Sequence, residues 1–157
     1  LNYVDSDKLI LFGESQGGVV SCMVAAEHKI DRLILLYPAL CIPDDARKGK
    51  MLFMHFDPDN IDGTLKCKPF RFSPEYPKSA IGLDMYEILG NITAPILIIH
   101  GSQDGIVDIA YAKRAKETAV NEKSRLAIID GAKHGFNRRQ VKIANGHIKE
   151  FLQGIEQ

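Results

Sequence analysis

Ser15, Asp104 and His134 are the residues whose types, order and settings could do nucleophilic chemistry. Ser15 lies in Gly13-Glu14-Ser15-Gln16-Gly17, a G-x-S-x-G pattern. Before it runs the apolar stretch Leu9 to Phe12; after it come small residues and valines at helical spacing. A sharp strand-to-helix turn would hold the serine in a strained conformation and lift its hydroxyl clear of the sheet. Close passage of the neighbouring chain then asks for glycine on both sides. A serine hydroxyl is a poor nucleophile until a base takes its proton. His134, in Asp130-Gly131-Ala132-Lys133-His134-Gly135-Phe136, is the candidate base. Asp104, in His100-Gly101-Ser102-Gln103-Asp104, is the candidate acid that fixes the imidazole tautomer and stabilises its cation. The N–H of Gln16 would be one oxyanion donor, and the start of the following helix favours negative charge nearby. The chemistry this implies is acyl transfer: Ser15 attacks a carbonyl, and His134 later protonates the leaving group.

The competing residues fit other roles. His28, His55 and His147 read as ordinary surface or core histidines, with His147 on the outer side of the last helix. His100 ends a strand and is expected to pack or hydrogen-bond near the acid loop rather than act as base. Asp108 is placed to cap a helix, Asp130 lies too near the strand it ends, and Glu14 should point away from Ser15.

Four short, nearly continuous apolar runs must position these groups: Lys8 to Phe12, Arg32 to Tyr37, Pro95 to His100 and Arg125 to Ile129. Such runs read as strands buried on both faces of a parallel sheet. Helical patterns follow the first (Val19, Val20, Met23, Val24, Ala26), the third (Ile109, Ala112, Ala115, Ala119) and the fourth (Val141, Ala144, Ile148, Phe151, Leu152, Ile155). The order predicts an α/β fold, a mostly parallel sheet flanked by helices. Ser15, Asp104 and His134 then share the carboxyl-end edge of that sheet. The connection from Ala39 to Ala94 is too long for a plain crossover and holds most of the aromatic residues. Its segment 41–93 reads as an inserted lid or cap, or else as a helical hairpin with its own small core. Ser79 to Leu89 could form a helix leading back to the sheet.

The 157 residues suggest one domain, 1–157. Lys+Arg and Asp+Glu number 20 each, so the electrostatic footprint of a nucleic-acid binder is absent. No apolar run approaches membrane-spanning length. Cys22, Cys41 and Cys67 fall in no metal-ligand or redox spacing and read as free thiols of a reducing, cytoplasmic setting. No metal or cofactor is implied. A second oxyanion donor would come from a loop after an earlier strand, but only Leu1 to Asp7 precede the first strand. The expectation is therefore a piece of a longer protein, with an exposed apolar edge on its first strand.

With these residues assembled, the chain resembles a partial α/β-hydrolase lacking its amino-terminal strands. It is most similar to bacterial cinnamoyl and feruloyl esterases. The resemblance rests on the elbow through Val20, Tyr37-Pro38-Ala39, Phe56-Asp57-Pro58-Asp59-Asn60-Ile61 and the two loops carrying Asp104 and His134. It implies a serine esterase acting on small-molecule esters through an acyl-enzyme, with hydroxycinnamoyl esters as one substrate class. In that family an acidic residue and a tyrosine from the lid meet the substrate's phenolic hydroxyl; by position Asp45 and Tyr76 match. The elbow differs in carrying Glu14 where those esterases usually carry His. Two alternatives keep the fold: a prolyl-oligopeptidase- or aminopeptidase-like peptidase or amidase, and an inactive fragment or binding module.

Overall fold

The computed structural model describes residues 7–63, 65–67 and 70–153. The expectations for Pro69, Ile155 and the side chains of Cys67 and Phe70 lie outside the described part. The chain runs β1 (Ile10–Glu14), α1 (Gln16–Glu27), β2 (Arg32–Leu36), α2 (Ile42–Arg47), β3 (Lys50–Met51), β4 (Met54–His55), β5 (Leu65–Cys67) and β6 (Phe70–Phe72). It continues with α3 (Glu75–Ile81), α4 (Met85–Gly90), β7 (Ile96–Gly101), α5 (Ile109–Thr118), β8 (Arg125–Ile129) and α6 (Arg138–Leu152).

The main sheet is ordered β1-β2-β7-β8 and every pairing is parallel. Successive side chains of a strand point to opposite faces, and both faces of β2 and β7 are covered. Leu33, Leu35, Ile96 and Ile98 pack in a core with α1, α4 and α5. Ile34, Leu36, Leu97 and Ile99 pack in a second core with α6 through Ala144 and Phe151. This two-sided burial is why β2 and β7 read as unbroken apolar runs; the same expectation for β1 and β8 is corrected, since as edge strands they leave Phe12 and Ile128 exposed. At the edge, β1 pairs only with β2 among the described residues, and Phe12 is 50% exposed.

The strand ends differ from expectation in an informative way. β1 continues through Gly13 and Glu14, which pair with Leu35 and Leu36, rather than stopping at Phe12. Extended pairing therefore reaches the doorstep of Ser15. β2 ends one residue early, at Leu36, because Tyr37 turns to φ 36°.

Segment 41–93 is neither a bare loop nor a helical hairpin. It holds two small antiparallel hairpins, β3–β4 and β5–β6, and three short helices. Ala46, Met51, Met54 and Ala80 form its own cluster, joined by Phe56, Phe72 and Tyr76. The single helix expected over Ser79 to Leu89 is instead two. α3 ends at Ile81, and Asp84 starts α4 by accepting the backbone N–H groups of Tyr86 and Glu87. Asp108 caps α5 through Ala110 N–H, as its position suggested. Asn137 and Gln140 close a capping box on α6, next to the His134 loop.

Candidate active site

Ser15 bridges β1 and α1 with φ 49° and ψ −120°, outside both strand and helix geometry. Two backbone bonds from the neighbouring strand end pin this turn. Ser15 N–H donates to Leu36 O at 3.0 Å, and Ala39 N–H donates to Ser15 O at 2.9 Å. A Cβ on Gly13 would meet Gly17 O at 2.5 Å and Ser21 Oγ at 2.6 Å. The expectation that Gly17 is equally crowded is corrected, since a Cβ there meets nothing within 4 Å. Gly17 faces outward on the first turn of α1. The crowded partner is Gly18, whose Cβ would lie 2.7 Å from Pro38 Cβ.

Ser15 Oγ lies 2.8 Å from His134 Nε2, and His134 Nδ1 lies 2.9 Å from Asp104 Oδ2. The three residues singled out from the sequence are thus one hydrogen-bonded line. A carboxylate only accepts, so Nδ1 carries the proton and Nε2 turns its lone pair to the serine hydroxyl. The Asp104 side chain is fully buried. Burial pushes its pKa up, but the N–H groups of Val107 and Ile106, together with His134, outweigh that and hold it below the ordinary 3.8. Those two N–H groups reach Asp104 Oδ1 at 3.0 and 2.9 Å. Gln16 is the first residue of α1, so its N–H has no intrahelical acceptor. It lines the same cavity as Ser15.

The competing residues are otherwise engaged. Asp130 accepts the Ser102 hydroxyl at 3.0 Å. Glu14 accepts the Tyr37 hydroxyl at 3.0 Å. His100 is fully buried, with Nε2 3.0 Å from Val107 O. His55 is exposed, in keeping with a surface histidine, and borders the cavity.

Tyr37 is the site residue whose role the sequence did not reveal. Its ring stands edge-on to His134 at 5.0 Å and to Phe136 at 4.8 Å, walling the imidazole. Burial first, then Glu14, pushes its pKa to about 12, so the hydroxyl stays a donor to Glu14. The signal was Glu14 itself, an acidic residue at the elbow with a tyrosine at the next strand end.

A cavity of about 470 Å³ opens at Ser15. The body of the fold contributes Ser15, Gln16, Ala39, Ile106 and Val107; the insertion contributes Cys41, Asp45, Met51, Phe53 and Tyr76. Asp45 and Tyr76 therefore share one cavity with the serine. Burial pushes the Tyr76 pKa up, which keeps its hydroxyl protonated. Burial, then Asp45, pushes the Cys41 thiol up to about 12, which keeps it protonated at neutral pH.

The same architecture recurs in solved structures. Est1E from Butyrivibrio proteoclasticus, in a structure titled as having ferulic acid bound, matches with a TM-score of 0.87 and 28% identity. The match covers 100% of this chain and 63% of that one. Mouse alpha/beta hydrolase domain-containing protein 10 matches with a TM-score of 0.76 at 18% identity, over 97% of this chain and 64% of that one. The esterase domain of a Rhodothermus marinus protein matches at 0.69 and 21%, over 90% and 59% of the two chains. The latter two speak for the fold alone. No protein-family model and no curated protein matches the chain. By its parallel sheet, its elbow and these matches, the chain has the α/β-hydrolase fold. Within that class it is esterase-like, and it spans less than two thirds of the length of Est1E. No helix among the described residues is long and apolar enough to cross a membrane.

Proposed function

We propose that the chain is a serine carboxylesterase working through an acyl-enzyme. The observation that carries this reading is the line Ser15–His134–Asp104, at 2.8 and 2.9 Å, opening on a cavity. His134 Nε2 takes the hydroxyl proton as Ser15 Oγ bonds to the ester carbonyl carbon. The carbonyl oxygen becomes an oxyanion facing Gln16 N–H. Collapse expels the alcohol, which leaves with the proton from His134. Water, deprotonated by the same nitrogen, then releases the acid and restores Ser15. Asp104 stays ionised throughout and stabilises the imidazolium. The test is hydrolysis of p-nitrophenyl acetate and butyrate by the chain and by Ser15→Ala. Turnover should fall by at least about 10³-fold. Equal turnover in the two would contradict the proposal. An amide panel run alongside separates esterase from amidase activity.

For the acyl group we propose hydroxycinnamoyl esters, with segment 41–93 as the lid. Support comes from the ferulic acid in the Est1E structure and from Asp45 and Tyr76 lining the cavity. Asp45 would accept the phenolic hydroxyl and Tyr76 would donate to it. Methyl ferulate should then exceed methyl cinnamate in kcat/KM. Asp45→Ala should raise KM for ferulate roughly tenfold, the loss of one charge-assisted hydrogen bond, and leave butyrate unchanged. Equal loss on both esters would count against this acyl specificity.

A further inference from the structure

His100 is used by none of the steps above, yet it is fully buried beside them. Its Nε2 lies 3.0 Å from the Val107 carbonyl oxygen and 3.3 Å from Asp104 Oδ2. Its Nδ1 is buried without a hydrogen-bond partner. Together these contacts fix the tautomer. A proton on Nδ1 would be a buried donor with no acceptor, at a cost of about 1–3 kcal/mol. Nε2, facing two oxygens, must carry the hydrogen. His100 is therefore a neutral Nε2–H imidazole. Val107 is held at both ends, its carbonyl by His100 and its N–H by Asp104 Oδ1 at 3.0 Å. The oxygen nearest His100, Asp104 Oδ2, is also the one that takes His134 Nδ1–H.

We propose that His100 is a positioning residue. Its Nε2–H locks the Asp104 loop through the Val107 carbonyl and so keeps Oδ2 seated against His134 Nδ1–H. The inference rests on the serine-hydrolase reading for its effect on rate, but its geometry stands apart from turnover. A carboxylate that moves away from an imidazole favours its cation less. Removing His100 should therefore let the loop drift and weaken the Asp104–His134 bond. The titratable groups whose contacts reach His100 and His134 include Asp104, between them, and Tyr37 after β2, edge-on to His134 with Glu14 as its acceptor.

The test compares the parent with His100→Leu and His100→Gln. The leucine fills the space without a donor. Glutamine carries an N–H near the position of Nε2. In His100→Leu the acid limb of the pH–kcat/KM profile should move to lower pH by on the order of one unit. There kcat should fall about tenfold at unchanged KM, as expected of a misplaced acid. His100→Gln should restore both. Loss of kcat with an unmoved limb would overturn the proposal, because a merely structural role predicts that result. Nitrogen-15 NMR of the parent provides a readout that needs neither variant nor turnover. His100 should show a protonated Nε2 and a bare Nδ1, and its Nε2–H resonance should shift as His134 titrates. A protonated Nδ1, or a resonance indifferent to that titration, would also overturn it. If Ser15→Ala keeps full turnover, the hydrolase reading fails while the NMR result still decides the placement of His100.

Discussion

Asp104 is a buried carboxylate that the surrounding donors hold ionised, and the proposed chemistry needs it in that form. Its folded pKa lies below the ordinary 3.8 because backbone and imidazole donors outweigh its burial. A depressed pKa means that ionised Asp104 stabilises the fold. The contribution is complete above the ordinary value and is lost as pH falls through the folded one. Denaturant midpoints of the parent and of Asp104→Asn should therefore differ most near neutral pH and converge on acidification. A gap that does not change with pH would contradict this assignment. Asp104→Asn should also lower kcat by on the order of 10⁴, since an amide in place of the carboxylate favours the wrong imidazole tautomer. The same residue was legible in the sequence because it follows a strand end in the order Ser, Asp, His. His100's contact with it was legible only as a neighbourhood, since no spacing rule says which oxygen an imidazole faces. Tyr37 escaped because its role depends on a left-handed turn at φ 36° that brings its ring to His134.

At the scale of elements, the elbow is a close crossing of β1, α1 and the end of β2. Of the described residues, the non-glycines at positive φ are Ser15, Tyr37 and Leu52. Ser15 and Leu52 line the cavity, and Tyr37 walls His134. Strained backbone costs about 1–3 kcal/mol per residue and tends to gather at functional sites. Glycine placement gives a direct check. Gly13→Ala would put a methyl 2.5 Å from Gly17 O and should destabilise the fold by about 1–3 kcal/mol. Gly17→Ala meets nothing within 4 Å and should be neutral or slightly stabilising. Thermal unfolding of the two variants measures the contrast, and equal losses would contradict it. The motif read from the sequence marks both glycines alike. Only packing against Pro38 shows that Gly18, outside the motif, is more constrained than Gly17. The inner strands β2 and β7 were legible because both their faces are buried, and the edge strands β1 and β8 only by their β-branched and apolar content. The insertion was not, because elements of two to seven residues are too short to show a period.

For the molecule as a whole, the question is how segment 41–93 is tied to the body of the fold. Tyr111 of α5 donates its hydroxyl to Asp44 of α2 at 3.0 Å. Arg47 of α2 donates to the Ile81 and Leu83 carbonyls, binding the insertion's helices to one another. Asp44 thus ties the body of the fold to the helix that carries Asp45 to the cavity. Tyr111→Phe should cost about 0.5–1.5 kcal/mol of stability. It should also raise KM for ferulate more than for butyrate; an equal change in both would show that this tie does not orient Asp45. The central claim, that Ser15 is an activated nucleophile, is tested most directly by labelling the purified chain with a fluorophosphonate and mapping the adduct by mass spectrometry. Modification of Ser15, abolished in His134→Ala, is the expected result. A folded chain whose Ser15 stays unmodified, or whose label lies on another residue, would contradict it.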